Sequence, residues 1–255
     1  MSNLLSEIEK YWTNRAEGYS EVNKDELESF QRNKWLNEIK RQIGSDINKT
    51  NENIKILDIG CGPGFFSIIL AKAGFNITAI DYTNEMIERA KENSGYLTNK
   101  IKFMIMDAQN LQFEDESFDV IVSRNLTWNL EKPEIAYKEW IRVLKRKGIL
   151  LNYDANWYHH LFDDKKKKAY EKDRQRVAEN ELEDYYTCTD IESMEEIARK
   201  VPLSKIMRPQ WDILTLNKIG VTSVKGDLDI WKRVWCEEEK ANCASTPMFL
   251  VKCIK

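Results

Sequence analysis

In the run Asp58-Ile59-Gly60-Cys61-Gly62-Pro63-Gly64, glycine takes every second position from 60 to 64, between an apolar stretch (Ile54 to Ile59) and a helix-like one (Phe65 to Ala73). A strand that ends in such a turn and passes straight into a helix lets the backbone take dihedrals that a Cβ forbids, and lets a ligand approach closely. The alternation continues along the chain. Asn76 to Ile80, Ile101 to Met106, Phe118 to Ser123 and Gly148 to Tyr153 read as further strands. Thr83 to Asn93 and Pro133 to Arg146 read as helices, the latter with Tyr137, Trp140, Ile141 and Leu144 on one face. This rhythm predicts an α/β, doubly wound fold: a mainly parallel sheet with right-handed crossovers and helices on both faces.

The flanks are helical. One helix is expected over Ser6 to Arg15 and a second from Lys24 to Ile43, stopped by Gly44. After Asp154 the rhythm breaks into a charged, helix-prone insertion over 155–190 that includes Lys165 to Lys168. Helices at Ile191 to Lys200 and Pro209 to Lys218 follow, then strands at Val221 to Lys225 and Met248 to Ile254. With 255 residues the chain fits a single domain: an N-terminal helical lid (1–50), a binding core (54–154), a helical insertion capping the substrate side (155–190) and a section completing the sheet (191–255). A net charge of −3 argues against nucleic acid or an anionic membrane as partner. No apolar run is long enough to span a bilayer and the polar N-terminus shows no signal peptide. Five cysteines without close pairs argue against a disulfide framework or zinc site, so a cytoplasmic protein with no metal is expected.

The glycine turn has an obvious rival reading as a dinucleotide fingerprint, G-x-G-x-x-G. Counting from Gly60 places Phe65 where the third glycine is required, and counting from Gly62 places Ser67 there. Asp58 would also repel a pyrophosphate. The turn therefore suits a ligand with a cationic group near that carboxylate. Asp81, closing the second strand, can accept hydrogen bonds from a ribose diol or else cap the helix that begins near Thr83.

Together, Ile56 to Gly64, Asp81, Met106-Asp107-Ala108, Ser117-Phe118-Asp119-Val120-Ile121, and Arg142-Val143-Leu144-Lys145 before Gly148 resemble the ordered motifs of the class I S-adenosylmethionine-dependent methyltransferases, over about residues 54 to 153. The resemblance implies a Rossmann-like, seven-stranded sheet whose last strand is antiparallel, with S-adenosylmethionine as cofactor and S-adenosylhomocysteine as product. It implies that Gly60, Cys61, Gly62 and Gly64 line the methionine portion, with Asp58 near its amino group. Asp81 would hold the ribose, Tyr82 and Met86 would pack on adenine, and Asp107 and Ala108 would meet the adenine edge. Arg124 would pass near the methionine end. Tyr11-Trp12-x-x-Arg15-x-x-x-Tyr19 is similar to the cofactor-covering lid of small-molecule members, placing Tyr11 and Tyr19 at the cofactor.

A small-molecule acceptor is expected, methylated by in-line displacement with positioning as the main contribution. Trp128 and Asn129 stand where relatives acting on quinones or sterols often carry paired histidines, which suggests stacking and amide hydrogen bonding to substrate. Asn156 and Trp157 join them as substrate contacts. Asp154, His159 and Tyr19 are the candidates for orienting or deprotonating the acceptor. Replacing Trp128 or Asn156 should then impair turnover more than cofactor binding, and Asp81→Ala should spare the fold. Alternatives are a metalloid methyltransferase using Cys188, Cys236 and Cys243 as thiolates, and a non-catalytic S-adenosylmethionine-binding protein. A monomer or homodimer is expected.

Overall fold

The computed structural model describes residues 3–44, 47, 49–186 and 189–255. The apolar segments form strands β1 (Lys55–Ile59), β2 (Asn76–Asp81), β3 (Ile101–Ile105), β4 (Phe118–Arg124), β5 (Leu144–Asp154), β6 (Ser223–Asp227) and β7 (Phe249–Ile254) of a single sheet in the order β3-β2-β1-β4-β5-β7-β6. β1 pairs in parallel with β2 and β4, β2 with β3, and β4 with β5. β7 alone is reversed, lying antiparallel between β5 and β6. The chain leaves β1 toward β2 and β3, then returns to its other side for β4 and β5. That reversal opens a crevice beyond the carboxyl ends of β1 and β4, where such sheets bind ligands.

Ten helices surround the sheet: α1 (Asn3–Glu28), α2 (Gln31–Ile43), α3 (Phe65–Lys72), α4 (Asn84–Ser94), α5 (Pro133–Val143), α6 (Asp164–Glu179), α7 (Ile191–Lys200), α8 (Gln210–Ile219), α9 (Ile230–Val234) and α10 (Glu237–Asn242), counted among the described residues. Successive strand residues face opposite layers. Ile56, Val120 and Leu151 pack with Trp35, Ile39, Phe65 and Ile69 of α2 and α3. Their neighbours Leu57, Ile121 and Leu150 pack with Tyr137, Trp140 and Ile141 of α5. Covering both faces explains why the central strands read as continuous apolar runs.

The N-terminal helices differ from expectation. α1 runs unbroken through residues 16–23, because the only interruption there is Gly18, and one glycine costs a helix about 1 kcal/mol. The break falls at Ser29, whose Oγ donates to the Glu26 carbonyl (3.0 Å) and accepts from the Gln31 N–H (3.1 Å). α5 stops at Val143 rather than Arg146, since Leu144 already pairs with Phe118 and β5 begins there, four residues early. α9 and α10 are too short to show a helical period and were not expected. No helix among the described residues is long and apolar enough to cross a membrane.

Candidate active site

The glycine turn closes on the end of β2. Gly60 and Cys61 both donate their N–H to the Ile80 carbonyl (2.9 Å each). The Gly62 N–H donates to Asp81 Oδ2 at 2.9 Å, and the Thr83 N–H donates to Asp81 Oδ1 at 3.0 Å. Asp81 therefore binds the turn to the start of α4 while still lining the cleft. This corrects the expectation that its hydrogen bonds go to ligand alone. Burial raises its pKa against the opposing pull of those backbone N–H groups. Gly60 (φ 68°) and Gly62 (φ 51°) lie in the left-handed region, so a side chain at either is strained; a Cβ at Gly60 would also strike Leu126 Cδ2 at 2.7 Å.

Asp58, 2% exposed, accepts one hydrogen bond from Ser67 Oγ at 2.6 Å. Burial, only partly offset by Ser67 and the Arg124 charge, pushes its pKa up to about 7. Asp107 accepts from the Gln109 N–H (2.8 Å) and Gln109 Nε2 (3.1 Å), both through Oδ1. The Ala108 carbonyl is taken by the Trp140 indole N–H at 2.9 Å. Arg124 forms a two-armed pair with Glu26 of α1 (2.7 and 2.8 Å), its guanidinium 4.6 Å from the Phe65 ring centroid and 5.2 Å from that of Phe66.

These groups share a cleft of about 1020 Å³, its open mouth included. Asp58, Gly60, Cys61, Gly62, Asp81, Tyr82, Met86, Asp107, Ala108, Arg124, Asn129 and Tyr19 all line it. α1 forms the roof through Leu5, Ile8, Glu9, Trp12, Tyr19 and Asn23, one helical stripe. The Trp12 and Tyr19 rings lie 5.7 Å apart, and the Tyr19 ring stands beside Gly62. Burial raises the Tyr19 pKa, with Arg124 opposing, so the phenol remains a hydrogen-bond donor at neutral pH.

Other expected site residues lie elsewhere. Gly64 is outside the cleft lining: its position lets α3 approach α4, where a Cβ would meet Ala90 Cβ at 3.1 Å. Tyr11 turns away from the cofactor side into an apolar cluster with Ile8, Trp128, Met194 and Ile197. Trp128 belongs to that cluster, packs at a tilt against Tyr158 (ring centroids 4.9 Å apart, planes at 34°) and donates its indole N–H to the Asn125 carbonyl (3.0 Å). Asn156 clamps the Arg208 backbone, donating to its carbonyl (3.0 Å) and accepting from its N–H (2.9 Å). Trp157 packs toward Trp235 (6.5 Å). His159 Nδ1 sits 3.1 Å from the Ser204 carbonyl.

Asp154 is fully buried. It accepts from the Trp128 and Ala155 N–H groups (2.9 Å each) and from Arg208 Nη1 (2.5 Å). Arg208 also engages Asp212 (Nε 2.9 Å, Nη2 2.7 Å), which in turn accepts from Tyr137 OH (2.5 Å). Asp154 is thus a scaffold carboxylate with both oxygens engaged inside the protein.

For the thiolate reading, Cys236 caps α10, accepting from the Glu239 N–H (3.4 Å), and burial pushes the Cys243 thiol up to about 12. Cys188 lies outside the described residues. Among the described residues no cluster of three or more His, Cys, Asp or Glu could hold a metal ion.

Sequence reasoning missed Asn23, Asn125 and the pair Phe65–Phe66 as lining residues. The spacing Tyr19, Asn23, Glu26 was the available signal, and the helix break assumed near residue 20 concealed it.

A family profile described as a methyltransferase domain matches residues 57–152. Demethylmenaquinone methyltransferases of Staphylococcus aureus are 30% identical over 149 residues, covering 57% of this chain and 58% of theirs. The match spans the part of the chain that carries the glycine turn, Asp81 and Asp107, and supports a methyltransferase that uses S-adenosylmethionine. This chain matches less than two thirds of the length of those relatives. A Methanococcus maripaludis structure described as an S-adenosyl-L-methionine-dependent methyltransferase has the same fold (TM-score 0.61, 23% identity, 95% of this chain and 93% of the other). So does one from Aquifex aeolicus (TM-score 0.55, 18% identity, 91% and 97%).

The cleft fits S-adenosylmethionine as cofactor. Buried side-chain atoms Asn23 Nδ2, Asn125 Oδ1 and Asn129 Oδ1 have no protein partner and belong to residues that line it. Buried polar atoms are normally satisfied, and these three are available to a ligand in the cleft. The carboxylates match a cationic ligand carrying a diol and an amino group.

Proposed function

We propose that this chain transfers the methyl group of S-adenosylmethionine to a small acceptor that carries no negative charge. One observation carries the reading: Asp58, Asp81 and Asp107, at or just past the ends of three adjacent strands, meet in a single cleft roofed by α1. S-adenosylmethionine supplies an already activated methyl group, so the protein has little covalent work to do.

The chain's own residues position and enclose. Asp81 offers its remaining lone pairs to the ribose hydroxyls, and Tyr82 and Met86 present flat or polarizable apolar surface to the adenine. Asp58 takes the amino group. Trp12 and Tyr19 cover the cleft and exclude water, which strengthens each electrostatic contact inside. Among the described residues, Arg124 is the one basic side chain lining the cleft, and its charge is answered by Glu26. Glu9 and Glu131 add to the acidic lining. An anionic acceptor would be repelled here, whereas amines and neutral phenols would be tolerated. No histidine lines the cleft, so an acceptor that arrives unprotonated, such as a neutral amine, is favoured.

Isothermal calorimetry with S-adenosylmethionine, S-adenosylhomocysteine and NAD tests the cofactor: micromolar binding of the first two alone is expected, and binding of NAD or of none would sink the reading. An acceptor panel of amines, phenols, carboxylates and a hydroquinone, the last on the likeness to the Staphylococcus relatives, tests the rest. Turnover confined to carboxylates would overturn the charge argument.

A further inference from the structure

α1 turns Tyr19, Asn23 and Glu26 toward the loop after β4, where Arg124 and Asn125 stand. Glu26 takes both arms of Arg124. Asn23, one helical turn before Glu26, is 2% exposed and lines the same cleft as Asp58 and Arg124, and its Nδ2 has no partner in the protein. A buried amide donor without a partner is costly, and an acceptor on a ligand in the cleft would remove that cost.

On the reading above, the methionine end of the cofactor occupies this part of the cleft with an ammonium and a carboxylate. Asp58 answers the ammonium. The carboxylate needs donors once buried, and the one guanidinium at hand is committed to Glu26. Asn125 and Asn129 each leave an oxygen, Oδ1, without a partner, so of these three amides Asn23 alone has a buried donor nitrogen left open. We propose that the Asn23 side-chain amide, assisted by the Tyr19 hydroxyl, is the carboxylate-recognising group of this site. A neutral amide then does what a cation would otherwise do, and the acidic balance of the cleft is left intact for the sulfonium.

The test compares S-adenosylmethionine with decarboxylated S-adenosylmethionine, which differs only at that group, by calorimetry on wild-type protein, Asn23→Leu and Asn23→Asp. Asn23→Leu keeps nearly the same volume and removes an unsatisfied polar group, so the ligand-free Tm should hold or rise. Its affinity for S-adenosylmethionine should fall tenfold or more, with less than a twofold change for the decarboxylated compound. Asn23→Asp should lose still more for the first and bind the second more tightly than wild type. Equal loss for both ligands in folded variants, or no loss for either, overturns the proposal; Asn23→Asp serves as the deciding variant if Asn23→Leu does not fold. Failure of wild-type protein to bind either compound would instead refute the functional reading on which this inference rests.

Discussion

Two carboxylates at the same edge of the sheet have opposite fates. Asp154 ends β5 and Asp58 lies next to the end of β1, and both are essentially excluded from water. Asp154 has both oxygens engaged, by two backbone N–H groups and the Arg208 guanidinium, and Arg208 is itself shared with Asp212. Asp58 has Ser67 alone for a direct side-chain donor, and the nearby Arg124 charge is already given to Glu26. Burial by itself therefore does not distinguish a scaffold group from a binding group. The count of lone pairs left open toward the cleft does, because those are the ones a ligand can fill.

Breaking the paired side should have the largest effect. Arg208→Met leaves Asp154 and Asp212 buried without their cation, and removing one partner of such a cluster costs about 3–5 kcal/mol. Urea unfolding of the ligand-free protein reads it; a loss below about 1 kcal/mol would show that the network is not a structural keystone.

The open side should respond to pH. With the folded pKa of Asp58 near 7 and an unfolded value of about 4, the native state holds the extra proton between them. Stability is then full below about pH 4 and falls as pH rises toward 7, by on the order of 2–4 kcal/mol across the window. Affinity for a cationic ligand should move the other way, rising as Asp58 ionises. Asp58→Asn should flatten both slopes, and parallel slopes in variant and wild type would assign them to another group.

Asp81 belongs partly to each class, since it holds Gly62 and Thr83 while facing the cleft. Asp81→Ala should weaken cofactor binding by ~100-fold, about 2.7 kcal/mol, and also lower Tm, because two backbone donors lose their acceptor. Loss of affinity with an unchanged Tm would make it a pure ligand residue. Smallest of all, Asn156→Ala removes the clamp on the Arg208 backbone and should cost ~1–2 kcal/mol of stability with cofactor affinity within twofold of wild type. A selective loss of turnover would return Asn156 to the substrate wall.

The part of the site legible in the sequence is the part built locally. Asp58, Gly60, Gly62 and Asp81 sit at strand ends, where the helix–strand rhythm locates them, and the same rhythm reveals the doubly wound sheet. Asp154 occupies an equally suggestive position, but what decides its role is Arg208, 54 residues along the chain, on a segment with no periodic signature. Trp128 and Trp157 read as a substrate wall because aromatic residues stack ligands and pack cores with equal ease. Asn23 was hidden by a different cause: Gly18 and the polar residues around it suggest a helix end, while packing on α4 and α7 carries α1 straight through.

That straight helix has a mechanical consequence. As a rod of 26 residues it is ~39 Å long. It is fastened near its C-terminus by the Glu26–Arg124 pair and near its start by Ile8 and Tyr11, which are wedged among Met194 and Ile197 of α7. A pivot of about 10° at the Glu26 fulcrum would swing the first turn, ~34 Å away, by ~6 Å. Such a swing must either strip Ile8 and Tyr11 from α7 or drag α7 along, so the doorway and the segment beyond β5 are geared to one another.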